Sequence, residues 1–131
     1  MKLKLKSSHR IVDDRNRIVM AEGRMQLLEA IVQTGSINQA AKQMGMSYKS
    51  AWSKIRSTEA HFKAKIVHSD KATGTRLTST GRELLYSYLR MKQQCLTADD
   101  AIFQTHFHPD GPQSTAQERR PPILSFVGHT G

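Results

Sequence analysis

Apolar residues recur at helical spacing in four stretches of this chain and at strand spacing in shorter ones. From Gly23 to Thr34, Leu27, Leu28, Ile31 and Val32 follow the helical period, and Gly35 stands after them as a stop, which predicts a first helix. Ser36 can cap the next helix, in which Ile37, Ala40, Ala41 and Met44 sit at i, i+3, i+4 and i+7 before Gly45 ends it. Only Met46 separates that glycine from Ser47, a second capping residue. It opens a longer helix with Tyr48, Ala51, Trp52, Ile55 and Phe62 on one side. Two helices joined by so short a turn must cross steeply, and the small Ala40 and Ala41 permit the close crossing. The pattern predicts a helix-turn-helix whose second member spans residues 47–63.

The strand-like patterns flank this motif. Lys2-Leu3-Lys4-Leu5-Lys6 alternates strictly and predicts a half-buried strand. Ile11-Val12 and Ile18-Val19-Met20 enclose the polar stretch Asp13 to Arg17, whose Asp and Asn suit the turn of a hairpin. Lys65 to His68 reads as a strand, Asp70 to Gly74 as a loop and Thr75 to Leu77 as the returning strand, so residues 65–77 predict a wing. Thr78 or Thr80 then caps the longest helix of the chain, carrying Leu84, Leu85, Tyr88, Leu89, Cys95 and Leu96 and extending to Ile102 and Phe103. The expected organisation is a mainly α winged-helix domain with a small antiparallel sheet over residues 1–103. A Pro- and Gly-rich tail, read as disordered, is expected over 104–131.

Charge sharpens this picture. The 131 residues carry 20 Lys and Arg against 11 Asp and Glu, and the surplus is concentrated: residues 1–92 hold 18 basic and 7 acidic side chains. A polyanion is the natural partner of such a surface. In the 47–63 helix, Lys49, Ser50, Ser53, Lys54, Arg56 and Ser57 fall on the arc opposite Ala51 and Ile55, with no acid before Glu59. Small hydroxyls allow close approach to phosphates or base edges, and Lys and Arg supply donors for acceptors of the major groove. A merely solvated helix face would mix Glu with Lys at i, i+4. Ser36, Ser47 and Tyr48 belong to the same candidate DNA surface, Tyr48 being suited to either packing or a phosphate contact. Trp52, beside Ile55, is expected in the core. Lys71, Thr73 and Arg76 are the candidate DNA contacts of the wing.

Other chemistry is thin. The longest apolar run, Ile18 to Ala21, is far short of the ~20 residues of a membrane span. One cysteine, Cys95, excludes an internal disulfide or a cysteine-cluster metal site, in keeping with the cytoplasm. No Gly-rich phosphate loop, acid pair or nucleophile with a neighbouring base stands out, and His106 and His108 have no evident third ligand. No enzyme, cofactor or metal is expected.

The stretch from Leu27 to Leu85 resembles the N-terminal DNA-binding domain of the molybdate-responsive ModE regulators, a winged-helix group that is also similar to the LysR-type domain. The resemblance is carried by Leu27-Leu28-Glu29-Ala30-Ile31, Gly35-Ser36-Ile37, Ala40-Ala41, Gly45 to Trp52, Ala72-Thr73-Gly74, and Leu77-Thr78 with Gly81 and Leu84. It implies a transcription regulator that binds double-stranded DNA as a homodimer. Two departures limit it: the wing lacks the family's Gly-rich run after Ala72-Thr73-Gly74, and residues 104–131 are too few and too Pro-rich for a molybdate-binding domain, so molybdate binding is not expected. The dimer is expected through Leu84, Leu85, Tyr88, Leu89 and Leu96 of the last helix. The same basic surface also suits a nucleoid-type binder without sequence preference. A winged-helix protein-interaction module would instead need an apolar or acidic outer face on the 47–63 helix.

Overall fold

The computed structural model describes residues 2–108 and 111–112. Two units divide the chain, Ser8–Gln93 and the remainder. In the first, strands β1 (Ile11–Val12) and β2 (Ile18–Met20) form an antiparallel hairpin ahead of helices α1 (Glu22–Thr34), α2 (Ile37–Gln43) and α3 (Tyr48–Phe62). A second antiparallel hairpin, β3 (Val67–Asp70) and β4 (Gly74–Leu77), precedes α4, which runs from Ser79 to His106. This is a mainly α winged helix-turn-helix, the class anticipated from the periodicities.

The ends of α2 and α3 explain the tight turn between them. Ser36 Oγ accepts the Gln39 amide at 3.1 Å, and Ser47 Oγ accepts the Ser50 amide at 3.0 Å, so each helix has a side-chain N-cap. Gly45, at φ 67, donates to Lys42 O while Met46 donates to Ala41 O, a Schellman closure that ends α2 and frees the chain for a new start at Ser47. Ala40, Ala41 and Ala51 are fully buried where α2 and α3 meet. The core around them is built from Leu27, Leu28 and Ile31 of α1, Ile55 of α3, Ile66, Leu77 and Tyr88.

Polar ties position the hairpins. Thr58, the buried polar residue of this core, donates its hydroxyl to Val19 O and accepts from Arg24 Nη1, joining β2, α3 and α1. Burial lowers the Arg24 pKa from its ordinary value. Thr75 donates its amide to Gly35 O at 2.9 Å, and Glu59 Oε2 accepts the Ile66 amide at 2.9 Å, so the wing is held at both ends. Thr78 caps α4 through Oγ1, which accepts the Gly81 amide and donates to Lys65 O.

The turn of the first hairpin is clamped to the end of α3. Asp13 accepts from the amides of Arg15 and Arg17, from Arg17 Nε and, at 3.0 Å, from His61 Nε2. His61 Nδ1 lies 3.0 Å from Ser57 O, so both ring nitrogens face acceptors and the doubly protonated ring satisfies both. The carboxylate and the carbonyl raise the His61 pKa, and the imidazole with the surrounding amides holds Asp13 well below the usual carboxylate range. The His61 contribution is complete below its unfolded pKa of about 6.5 and fades as pH rises through the folded value. The Asp13 contribution is complete above about 4 and fades only in acid. Urea melts are therefore expected to give a higher midpoint at pH 6 than at pH 8.5, and His61→Asn should shrink that difference. A midpoint gap unaltered by His61→Asn would refute the clamp.

Three expectations need correction. Lys2 to Lys6 form no strand, because alternation supplies a face but these residues have no hydrogen-bonded neighbour strand. Leu85 and Tyr88, expected at a subunit interface, are buried in the chain's own core, where Tyr88 donates its hydroxyl to His9 O at 2.6 Å. The segment read as tail from residue 104 begins with the end of α4. In the second unit, β5 (Phe107–His108) then pairs with β6 (Gly111–Pro112), and the rings of Phe103 and Phe107 stack with centroids 5.7 Å apart. The expected disorder of residues 113–131 lies outside the described residues.

Candidate nucleic-acid interface

The helical period divides the surface of α3 into a crest and two flanks. Lys49, Ser53 and Arg56 form the exposed crest. On one flank Ser50, Lys54 and Ser57 are half-buried, and Ser57 Oγ lies 3.5 Å from Arg24 Nη1 of α1. Tyr48 and Trp52 occupy the other. Their rings meet edge-on with centroids 6.4 Å apart, and the Arg56 guanidinium sits 5.2 Å from the centre of the indole. Tyr48 is exposed and Trp52 half-buried against the core, so Trp52 is only partly the core residue expected from its neighbour Ile55. Phe62, placed on the same apolar arc from sequence, is exposed at the end of the helix.

This ladder at positions 48, 52 and 56 fixes where the Arg56 charge stands, because the indole holds the guanidinium against the helix rather than leaving it free in solvent. Sequence reading missed it. The signal was present in the i, i+4 spacing of Tyr48, Trp52 and Arg56, but assigning Trp52 to the core concealed it. Ser36 and Ser47 lie at the starts of α2 and α3 with an acceptor lone pair of each committed to its cap, leaving the hydroxyl proton to donate to an anion.

The wing brings Lys71, Thr73 and Arg76 to the surface, all exposed. Lys71 and Thr73 occupy the tip, where Asp70 Oδ1 accepts the Ala72 amide, and Arg76 lies within β4, paired in register with His68 of β3. The sequence-predicted candidates thus separate into an α2–α3 group and a wing group on successive elements of one unit. His68 and Arg82, absent from the predicted set, join Arg76 around a shallow groove beside the wing. Among the described residues no three His, Cys, Asp or Glu side chains are grouped to hold a metal, and no helix is long and apolar enough to cross a membrane.

A capped pair of helices with a tight turn, followed by a β-hairpin and a long helix, defines the winged helix-turn-helix class of DNA-binding domains. Residues 23–82 match the family described as bacterial regulatory helix-turn-helix protein, lysR family. It is similar to the molybdenum transport protein ModE of Azotobacter vinelandii, 32% identical over 87 residues that make up 63% of this chain and 32% of that protein. The DNA-binding transcriptional dual regulator ModE of Escherichia coli K12 is 38% identical over 91 residues, 60% of this chain and 34% of the relative. The chain thus spans about a third of the length of these curated relatives. Among solved structures, the DNA-binding domain of CbnR in its DNA complex superposes with a TM-score of 0.53 at 19% identity, covering 64% of this chain and 97% of that domain, a likeness of fold.

Proposed function

We propose that this chain is a sequence-specific DNA-binding transcription regulator that lays α3 in the major groove of duplex DNA with the β3–β4 wing alongside. The observation that carries the reading is the exposed crest of Lys49, Ser53 and Arg56 on the second, capped helix of the helix-turn-helix, without an acid on α3 before Glu59. Ser36, Ser47, Tyr48, Ser50, Lys54 and Ser57 surround the crest, and Lys71, Thr73 and Arg76 extend the contact through the wing. The Escherichia coli relative ModE, a DNA-binding transcriptional dual regulator, supports the same reading. A non-specific binder would engage phosphates alone and hold all duplexes with similar affinity.

The active form in this reading is a homodimer joined through α4. Leu84, Leu89 and Leu96 are half-buried, Tyr86 and Ile102 are more than half exposed, and Cys95 and Phe103 add partly covered apolar surface. Leu85 and Tyr88 serve the protomer's own core. Two-fold pairing sets the α3 helices about 34 Å apart, one turn of DNA or a multiple of it, which calls for an approximately palindromic site. The reading assigns no response to molybdate.

Selection of bound fragments from a random duplex pool tests it. The expected outcome is enrichment of a palindrome bound roughly a thousandfold or more tighter than a scrambled duplex of the same length. Lys49→Ala should weaken that binding by about tenfold or more with little change in melting temperature. Equal affinity for selected and scrambled duplexes would establish the non-specific alternative instead.

A further inference from the structure

Beside the wing, and apart from the crest of α3, a shallow groove of about 570 Å³ is lined by His68, Arg76, Leu77, Thr78, Ser79 and Arg82. Its walls come from the β3–β4 hairpin and the start of α4. His68 and Arg76 are directly opposed in the β3–β4 register, so both side chains rise from the same face of the hairpin, and the next pair along, Val67 and Leu77, is buried in the core. Arg82 comes from the first turn of α4, and its Nη1 donates to Leu77 O at 3.1 Å. That bond anchors one corner of the guanidinium at the base of β4. The remaining N–H donors of the fork are left for another acceptor.

The composition of the lining identifies the acceptor. Two arginines and a histidine share the groove, and among the described residues no carboxylate lines it. Thr78 is structural, since its hydroxyl is divided between Lys65 O and the Gly81 amide. A planar guanidinium matches a tetrahedral oxyanion through two parallel N–H donors, and a second arginine can approach the same anion from the opposite wall. The two guanidinium charges repel a cationic ligand from such a lining.

We propose that this groove is a phosphate site: Arg76 and Arg82 hold one phosphodiester of the DNA backbone running past the wing, with His68 as a third donor. The assignment rests on the DNA-binding reading and adds Arg82 and His68 to its contacts. A phosphodiester carries no base identity, so the groove adds affinity and orientation without selecting sequence.

The test uses the full chain and a selected duplex, with affinity measured across a salt series for the wild type, Arg82→Gln and Lys49→Ala. For Arg82→Gln the expected result is a loss of about three- to tenfold on selected and scrambled duplexes alike, with the salt slope reduced by about one for each protomer bound and the ratio between the duplexes preserved. Should Arg82→Gln melt early, the double change His68→Gln with Arg76→Gln probes the same groove without touching α4. Full affinity and an unchanged slope in the groove variants, while Lys49→Ala still weakens binding, would overturn the phosphate site and leave the DNA reading intact. Failure of the wild type to bind any duplex would remove both. Inorganic phosphate is the control ligand: if it raises the wild-type melting temperature but not that of the groove variants, and their DNA slopes are unchanged, the groove takes a free oxyanion and the backbone assignment falls.

Discussion

Raising monovalent salt from 50 to 200 mM is expected to weaken duplex binding by about three orders of magnitude. Each phosphate neutralised by Lys or Arg releases condensed counterions, and the logarithm of affinity falls with the logarithm of salt by about 0.9 per phosphate. The candidate surface offers Lys49, Lys54, Arg56, Lys71 and Arg76 on each protomer, and in a dimer about six such contacts suffice for the effect. Arg56, held by the indole of Trp52, would engage a phosphate with less ordering cost than a free side chain. Fluorescence anisotropy on a labelled palindromic duplex measures the slope. A loss below tenfold over that range would mean that the basic surplus is not applied to the backbone and that α3 does not lie in a groove.

How much of this was legible beforehand depends on whether the deciding interaction is local. The helix-turn-helix was readable because its signals lie within a few residues of one another: Ser36 and Ser47 cap their own helices, and Gly45 closes α2 onto Lys42. The crest of α3 followed from helical phase alone. Trp52 was placed only in part, because burial of an aromatic at the edge of an apolar arc depends on what the facing helix leaves uncovered. Leu85 and Tyr88 were sent to a subunit interface because an apolar stripe does not disclose its partner. The Tyr88 hydroxyl bonds to His9, 79 positions away, a pairing that periodicity has no means to register. The groove of His68, Arg76 and Arg82 likewise depends on strand register and on where α4 begins. Lys2 to Lys6 mark the opposite error, a local alternation with no strand to pair with.

Gly81→Ala is expected to be the most destabilising small substitution in the chain, costing about 3 kcal/mol or more. The start of α4 lies directly on the chain entering the wing: Thr78 donates its amide to Ile66 O at 3.0 Å and its hydroxyl to Lys65 O. Gly81 is buried on that contact, and a Cβ added to it would stand 2.1 Å from Ile66 O and 3.0 Å from Ile66 C. Those atoms are backbone, and Ile66 is itself held by the hydrogen bond its amide donates to Glu59 Oε2 and by its buried side chain, so it has no rotamer with which to yield. Relief therefore requires α4 to lift away, breaking the Thr78 bonds and uncovering Leu85 and Tyr88, which share the helix. The usual gain of Gly→Ala within a helix, about 1 kcal/mol, is too small to offset this. Thermal melts check it: a fall of about 12 °C or more is expected for a domain of this size. Gly23→Ala, also in a helix but with open space around the position, should be neutral or slightly stabilising. Equal melting temperatures for the two variants would show that α4 does not rest on Ile66 as described.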